Sequence, residues 1–116
     1  MLKKLLDQAV SNGGVVLVEN GIMLYRVEGD VIWTGAAWVH PDHRRDGICT
    51  EMARKVAMIG YRLGLTWFMS KTMKIRPDVT AMYKKMGRTI TTMDEHHLVW
   101  MDKISDLLER WPNEVE

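Results

Sequence analysis

A run of β-forming residues from Val31 to His40 stops at an Arg44-Arg45-Asp46-Gly47 turn and passes at once into a helical pattern that ends at Gly64, after which Leu65 to Met69 is again compact and apolar. Strand, helix, strand in that order leaves few choices. Two strands joined by a helix run parallel, and such a crossover is right-handed in nearly all proteins. Within the helix Met52, Val56, Ile59 and Leu63 form one stripe, with Ala53, Ala57 and Gly60 beside it as small residues that permit close packing. Alternation along the first strand places Ile32, Thr34, Ala36 and Trp38 on one face and Trp33, Gly35, Ala37 and Val39 on the other. Both sets are apolar enough to be covered, which predicts a central strand.

Around this unit the chain adds shorter pieces. Leu2, Leu5, Leu6 and Ala9 recur at helical spacing and stop at Asn12-Gly13-Gly14, which predicts a short amphipathic helix. Val15 to Glu19 is β-forming, Asn20-Gly21 is a strong hairpin signal, and Ile22 to Val27 supplies the returning strand before a turn at Glu28-Gly29-Asp30. Lys71 to Arg76 reads as a polar connection. Pro77 suits the first turn of a second helix, Asp78 favours its positive end, Val79, Met82, Tyr83 and Met86 give its packed face, and Gly87 closes it. Thr89 to Met93 and Leu98 to Met101 read as strands around Asp94-Glu95-His96-His97, and a last helix near Ser105 to Trp111 sets Ile104, Leu107, Leu108 and Trp111 on one side, capping the core. The fold class is mixed α/β (α+β): a mostly antiparallel sheet holding one parallel strand pair, flanked by helices.

A length of 116 residues fits one domain, residues 1–116, with a modest core. Sixteen basic against fifteen acidic residues leave a formal charge of +1, which argues against nucleic acid or an acidic lipid surface as partner. Any anion site must therefore be local. One cysteine, Cys49, excludes an internal disulfide framework and suits a reducing compartment. Met1 to Val10 is too short an apolar run for a signal peptide, and nothing approaches the roughly 20 apolar residues of a membrane span. The expectation is a cytoplasmic protein with no membrane contact.

The arginine turn is where a local anion site can form. A helix that starts directly after a strand points its unpaired N–H groups and the positive end of its dipole into the gap beyond the strand's carboxyl end. Gly47 lets a ligand approach the main chain, and Arg44 and Arg45 add charge and forked donors suited to phosphate. The preceding strand offers main-chain groups to whatever is attached to that phosphate. Cys49, placed at the helix start beside two arginines, is expected to have a lowered thiol pKa. His40 and His43 read as surface histidines rather than a metal pair, because no further ligand cluster accompanies them.

At these residues the sequence resembles the GNAT superfamily, the N-acetyltransferases that use acetyl-coenzyme A. The family's signature V-x-P-x-x-R/Q-x-x-G-I/V-G/A is met by Val39, Pro41, Arg44, Gly47 and Ile48, with Cys49 in the last place. A second signature, an Ala/Val-x-x-Leu/Met-Tyr-x-x-x-Gly helix, is met by Val79, Met82, Tyr83 and Gly87. The resemblance covers Val31 to about Met101. It implies a GNAT-like sheet whose central parallel strands splay apart, with backbone amides of Arg45, Asp46, Gly47, Ile48, Cys49 and Thr50 holding the pyrophosphate of acetyl-coenzyme A. Main-chain groups near Trp38 and Val39 would pair with the pantetheine arm, and Tyr83 would protonate the departing thiolate. The implied reaction is direct attack of a primary amine on the thioester. No carboxylate stands in the strand Val31 to His40 to act as base, and His40 is the nearest substitute.

The chain differs from the family pattern at Cys49, where glycine or alanine is usual, at Asp46 within the phosphate loop, and at Arg88, where an aromatic residue normally follows Gly87. Its N-terminal portion leaves room for one helix where the family usually has two, which implies an acceptor site that is either open or completed by a homodimer or another protein partner. A tyrosine on a helix is, by itself, most simply a packing residue. A catalytically silent GNAT-like module that serves as a structural or partner-binding protein therefore stands beside the enzyme reading; short chains of this sort also occur among bacteriophage virion proteins.

Overall fold

The structure is a computed structural model that describes residues 13–44 and 46–111; the helix expected around Leu2 to Ala9 and the side chain of Arg45 lie outside them. Six strands, β1 (Gly13–Val18), β2 (Gly21–Glu28), β3 (Val31–Val39), β4 (Trp67–Met73), β5 (Ile90–Met93) and β6 (His97–Lys103), form one sheet in the order β1-β2-β3-β4-β6-β5. Three helices, α1 (Ile48–Arg62), α2 (Pro77–Lys85) and α3 (Ile104–Arg110), complete the described chain. Among the described strands only β3 and β4 pair in parallel, across the α1 crossover, as strand–helix–strand order requires.

The β1–β2 hairpin closes one residue earlier than Asn20-Gly21 implies. Val18 pairs with Gly21, so the loop is Glu19-Asn20 with Asn20 at φ 68°, while Gly21 begins β2. The glycine serves packing instead: a Cβ there would lie 2.8 Å from Ile48 Cγ2 and 3.0 Å from the Met52 sulfur. β4 runs on through Met73, past the expected end at Met69, because β6 pairs with it as far as Met73 and His97. Antiparallel ladder bonds override the polar composition of that stretch.

Helix α1 buries Ile48, Met52, Ala53, Val56, Ala57 and Gly60. Leu63, expected in the same stripe, is the C-cap residue and lies exposed. Leu63 keeps the angular position of that stripe but lies past the last helical turn, and the buried face follows the small residues that let the sheet come close. Ile32, Phe68, Met52, Val56, Ile104 and Leu107 are all fully buried in the resulting core. Trp111 closes it, edge-on to Phe68 at 6.0 Å, with its indole N–H donating to the Met86 carbonyl at 2.8 Å.

Two irregularities in β3 decide the site. Met23 pairs with Ala37 but Tyr25 with Thr34, so β3 holds one extra residue between those partners. This bulge breaks the alternation. Ala37 and Val39, rather than Ala36 and Trp38, share the face of Ile32 and Thr34, because they oppose the inward-facing Met23 and Gly21. In addition, β3 pairs with β4 only from Val31 to Thr34, opposite Trp67 to Ser70, although both strands continue. The two strands part at Thr34 and Ser70, and Gly35 to Trp38 are exposed rather than covered.

Candidate functional site

The parting of β3 and β4 opens between two features that the chain sets at its ends: the N-terminus of α1 and a cluster of polar side chains at the fork. Gly47 is the N-cap residue of α1 at φ 77°, and an added Cβ would meet none of the described residues within 4 Å. Having no side chain, it leaves the first-turn amides uncapped and open to an outside acceptor. A turn of 3₁₀ helix, Pro41–His43, brings the chain from β3 to this point. His40 caps that turn: its Nδ1 accepts from the Asp42 N–H at 3.2 Å.

Arg44 folds back so that its Nε donates to the Val39 carbonyl at 3.1 Å. Asp46 is turned toward His43, whose Nδ1 lies 3.0 Å from its Oδ2, while the Asp46 amide donates to the His43 carbonyl at 3.2 Å. The carboxylate is thus drawn to one side of the turn. Trp38, half exposed, lies edge-on to His40 at 6.0 Å on the stretch of β3 that has parted from β4 but still pairs with β2. Ile48 sends its side chain into the core, so only its amide is left for a ligand; Thr50 is half-buried in the same first turn.

Cys49 also turns inward. Burial pushes its thiol above the ordinary cysteine range, with the Arg88 cation drawing it part of the way back. The lowered pKa expected from the helix terminus is reversed, because desolvation of a thiolate outweighs a partial dipole charge.

At the fork, the Thr34 and Ser70 hydroxyls hydrogen-bond to each other across the last parallel pair. Both lie beside the Tyr83 phenol, which α2 lowers onto the sheet with its ring 5.2 Å from that of Trp100. Burial pushes the phenol above the ordinary tyrosine range; the Arg88 cation and the two hydroxyls oppose that rise. The phenol is accordingly a proton carrier at neutral pH.

Behind Tyr83 lies a charge pair. Arg88 donates from Nε to Asp102 Oδ2 at 2.8 Å and from Nη1 to Ser70 Oγ at 3.0 Å, and its guanidinium carbon sits 4.6 Å from the Phe68 ring centre and 5.4 Å from that of Tyr83. Both side chains are essentially buried, at 1% and 4% exposure. Asp102 also accepts from the Thr89 amide at 3.2 Å. Tyr83 and Cys49 therefore share one cluster with Thr34, Ser70, Arg88 and Asp102, whereas His40 and Arg44 belong to the turn at the far end of β3. No local sequence signal marks Thr34, Ser70 or Asp102; strand register alone brings them together. Arg88 carried one trace, as a charged residue in a place the family fills with an aromatic.

The fold and the cleft define a class of protein suited to an extended ligand with an anionic head: a free strand edge leads from a polar fork to an uncapped helix N-terminus. A sequence model described as the acetyltransferase (GNAT) family matches residues 13–87, and the chain belongs to that family. No curated protein matches the sequence. Among solved structures, the PaiA N-acetyltransferase of Thermoplasma acidophilum, in complex with coenzyme A, is 12% identical with a TM-score of 0.72 over 88% of this chain and 69% of that one. An acetyltransferase of Bacillus subtilis, also in complex with coenzyme A, is 12% identical with a TM-score of 0.71 over 87% of this chain and 83% of that one. Nourseothricin acetyltransferase is 14% identical with a TM-score of 0.69 over 73% of this chain. At such identities the likeness is one of fold. The chain spans 58% of the length of nourseothricin acetyltransferase and 61% of that of the ribosomal-protein-S18-alanine N-acetyltransferase of Escherichia coli. No described helix is long and apolar enough to cross a membrane.

Proposed function

We propose that the protein transfers an acetyl group from acetyl-coenzyme A to a primary amine. The observation that carries this reading is the parting of β3 and β4 at Thr34 and Ser70, directly beside the half-buried Tyr83, whose phenol burial holds protonated. Main-chain groups near Trp38 and Val39, on the edge of β3 that has parted from β4, receive the pantetheine arm as an added strand would be received. The amides from Arg45 to Thr50 hold the pyrophosphate at the α1 terminus, with Gly47 leaving room for its approach. Coenzyme A structures of fold relatives from Thermoplasma acidophilum and Bacillus subtilis support the choice of donor.

In the transfer, the amine nitrogen attacks the thioester carbonyl; a C–N bond forms, the C–S bond breaks, and Tyr83 gives its proton to the sulfur. The amide nitrogen sheds one proton to solvent, and the phenolate regains one. His40, at the end of β3, is the candidate to relay the nitrogen's proton to solvent.

The test is thiol release from acetyl-coenzyme A with a panel of amines and peptides. Tyr83→Phe keeps the packing against Trp100 and removes the proton, so turnover should fall by roughly 10²–10⁴-fold with cofactor affinity little changed. Equal turnover by both proteins would make Tyr83 a packing residue. Tight cofactor binding without turnover on any acceptor would favour the catalytically silent module.

A further inference from the structure

The buried Arg88–Asp102 pair lies outside the cleft, yet its donors are aimed at the fork. Arginine has no acceptor, so at Ser70 it occupies a lone pair and leaves the serine proton to point elsewhere. The hydroxyl bonded to Ser70 is Thr34, and both face the Tyr83 phenol. A phenol oxygen that receives a hydrogen bond releases its own proton more readily, because that bond strengthens as charge builds on the oxygen. Asp102 fixes the guanidinium from the opposite side through Nε, and Arg110 reaches its other oxygen at 3.5 Å. Nη2 is fully buried and has no hydrogen-bond partner among the described residues; the rings of Phe68 and Tyr83 flank the guanidinium instead.

We propose that Arg88, fixed by Asp102, is a positioning residue for Tyr83: it orders the Ser70 and Thr34 hydroxyls toward the phenol oxygen and holds a fixed positive charge behind the ring. The residue never touches substrate. Its charge stabilises the phenolate that remains once the proton has gone to sulfur. The other ionisable groups around the phenol are few: Cys49 from α1, whose thiol stays protonated, and Asp102 from β6 behind the guanidinium. Without Arg88, Tyr83 would sit among hydroxyls free to rotate and in surroundings that penalise its ionised form.

The inference rests on Tyr83 as the acid of the proposed reaction, so its test reads the phenol itself. NMR of ring-labelled tyrosine, with Tyr83→Phe identifying the resonance, follows the phenol titration in the intact protein. Arg88→Gln combined with Asp102→Asn removes both charges while leaving hydrogen-bonding side chains, and should raise the Tyr83 midpoint by about one pH unit. Turnover near neutral pH should fall by up to about tenfold, with KM for acetyl-coenzyme A unchanged. Asp102→Asn alone frees the cation of its counter-charge and should move the midpoint down. A purely structural pair would move both variants alike or neither, and either result overturns the proposal. Should the double variant not fold, Ser70→Ala decides, since breaking the path at the serine must raise the midpoint if the path exists. Loss of the proposed activity would leave these shifts in place, and unmoved titration beside a Tyr83-dependent turnover would sink the Arg88 role alone.

Discussion

Gly47 and Gly64 share a backbone angle, φ 77°, and in both places an added Cβ meets open space. Replacing either with valine forces a β-branched residue into the left-handed region, at about 1–2 kcal/mol. Their roles separate in the presence of ligand. If the α1 terminus holds the pyrophosphate, Gly47→Val abolishes the rise in Tm that acetyl-coenzyme A gives the parent protein, whereas Gly64→Val lowers both melting points and keeps the difference. An undiminished rise in Gly47→Val would move the anion site elsewhere. Cys49 makes a second residue-scale case. Its thiol is half-buried and its pKa raised, so at pH 8 it should react with iodoacetamide well below the rate of a free cysteine. A rate equal to that of a small thiol would show that the side chain faces solvent. The sequence pointed the other way because position at a helix start is visible in a sequence and side-chain burial is not.

At the scale of elements, the contact between α1 and the sheet depends on small residues. A Cβ on Gly60 would lie 2.8 Å from Ile104 Cδ1 and 3.0 Å from Ile32 Cγ2, so Gly60→Val should cost about 1–3 kcal/mol, read as a lowered urea midpoint at unchanged slope. An unmoved midpoint would mean that α1 does not approach β3 so closely. The strands and helices themselves were legible: Val31, the α1 apolar pattern, Pro77 and Gly87 all announce their elements through local chemistry. What alternation could not reveal was the bulge in β3, because one extra residue between Thr34 and Ala37 leaves the composition of the strand untouched. Nor could it show the fork. Where β3 and β4 stop pairing depends on register between segments more than thirty residues apart, and so does the meeting of Thr34 with Ser70; the meeting of Arg88 with Asp102 depends on how β5 and β6 fold back on each other. Tyr83 and the arginine turn were readable because each sits in a short motif. Their surroundings were not.

Across the whole molecule, the polar cluster beneath the fork couples folding to pH. Tyr83 and Cys49 both have their pKa values raised by burial, so each stays neutral in the fold above the pH at which it ionises in the unfolded chain. For an acid held protonated, the folded state carries more protons than the unfolded one, and stability falls as pH rises. The contribution is fully present below about pH 8.5, the ordinary cysteine value, begins to decline above it, and declines further beyond about pH 10, where an unfolded tyrosine ionises. Each group adds at most about 1.4 kcal/mol per pH unit to that slope. The buried Arg88–Asp102 pair contributes separately: removing Asp102's partner with Arg88→Met should cost about 3–5 kcal/mol through an uncompensated buried carboxylate. Urea midpoints measured at pH 7 and pH 10 should therefore show the parent protein losing stability at the higher value. Tyr83→Phe combined with Cys49→Ala removes both ionisations, so that protein should lose clearly less over the same interval. An equal loss in both would place the alkaline transition on other groups and the phenol in contact with water.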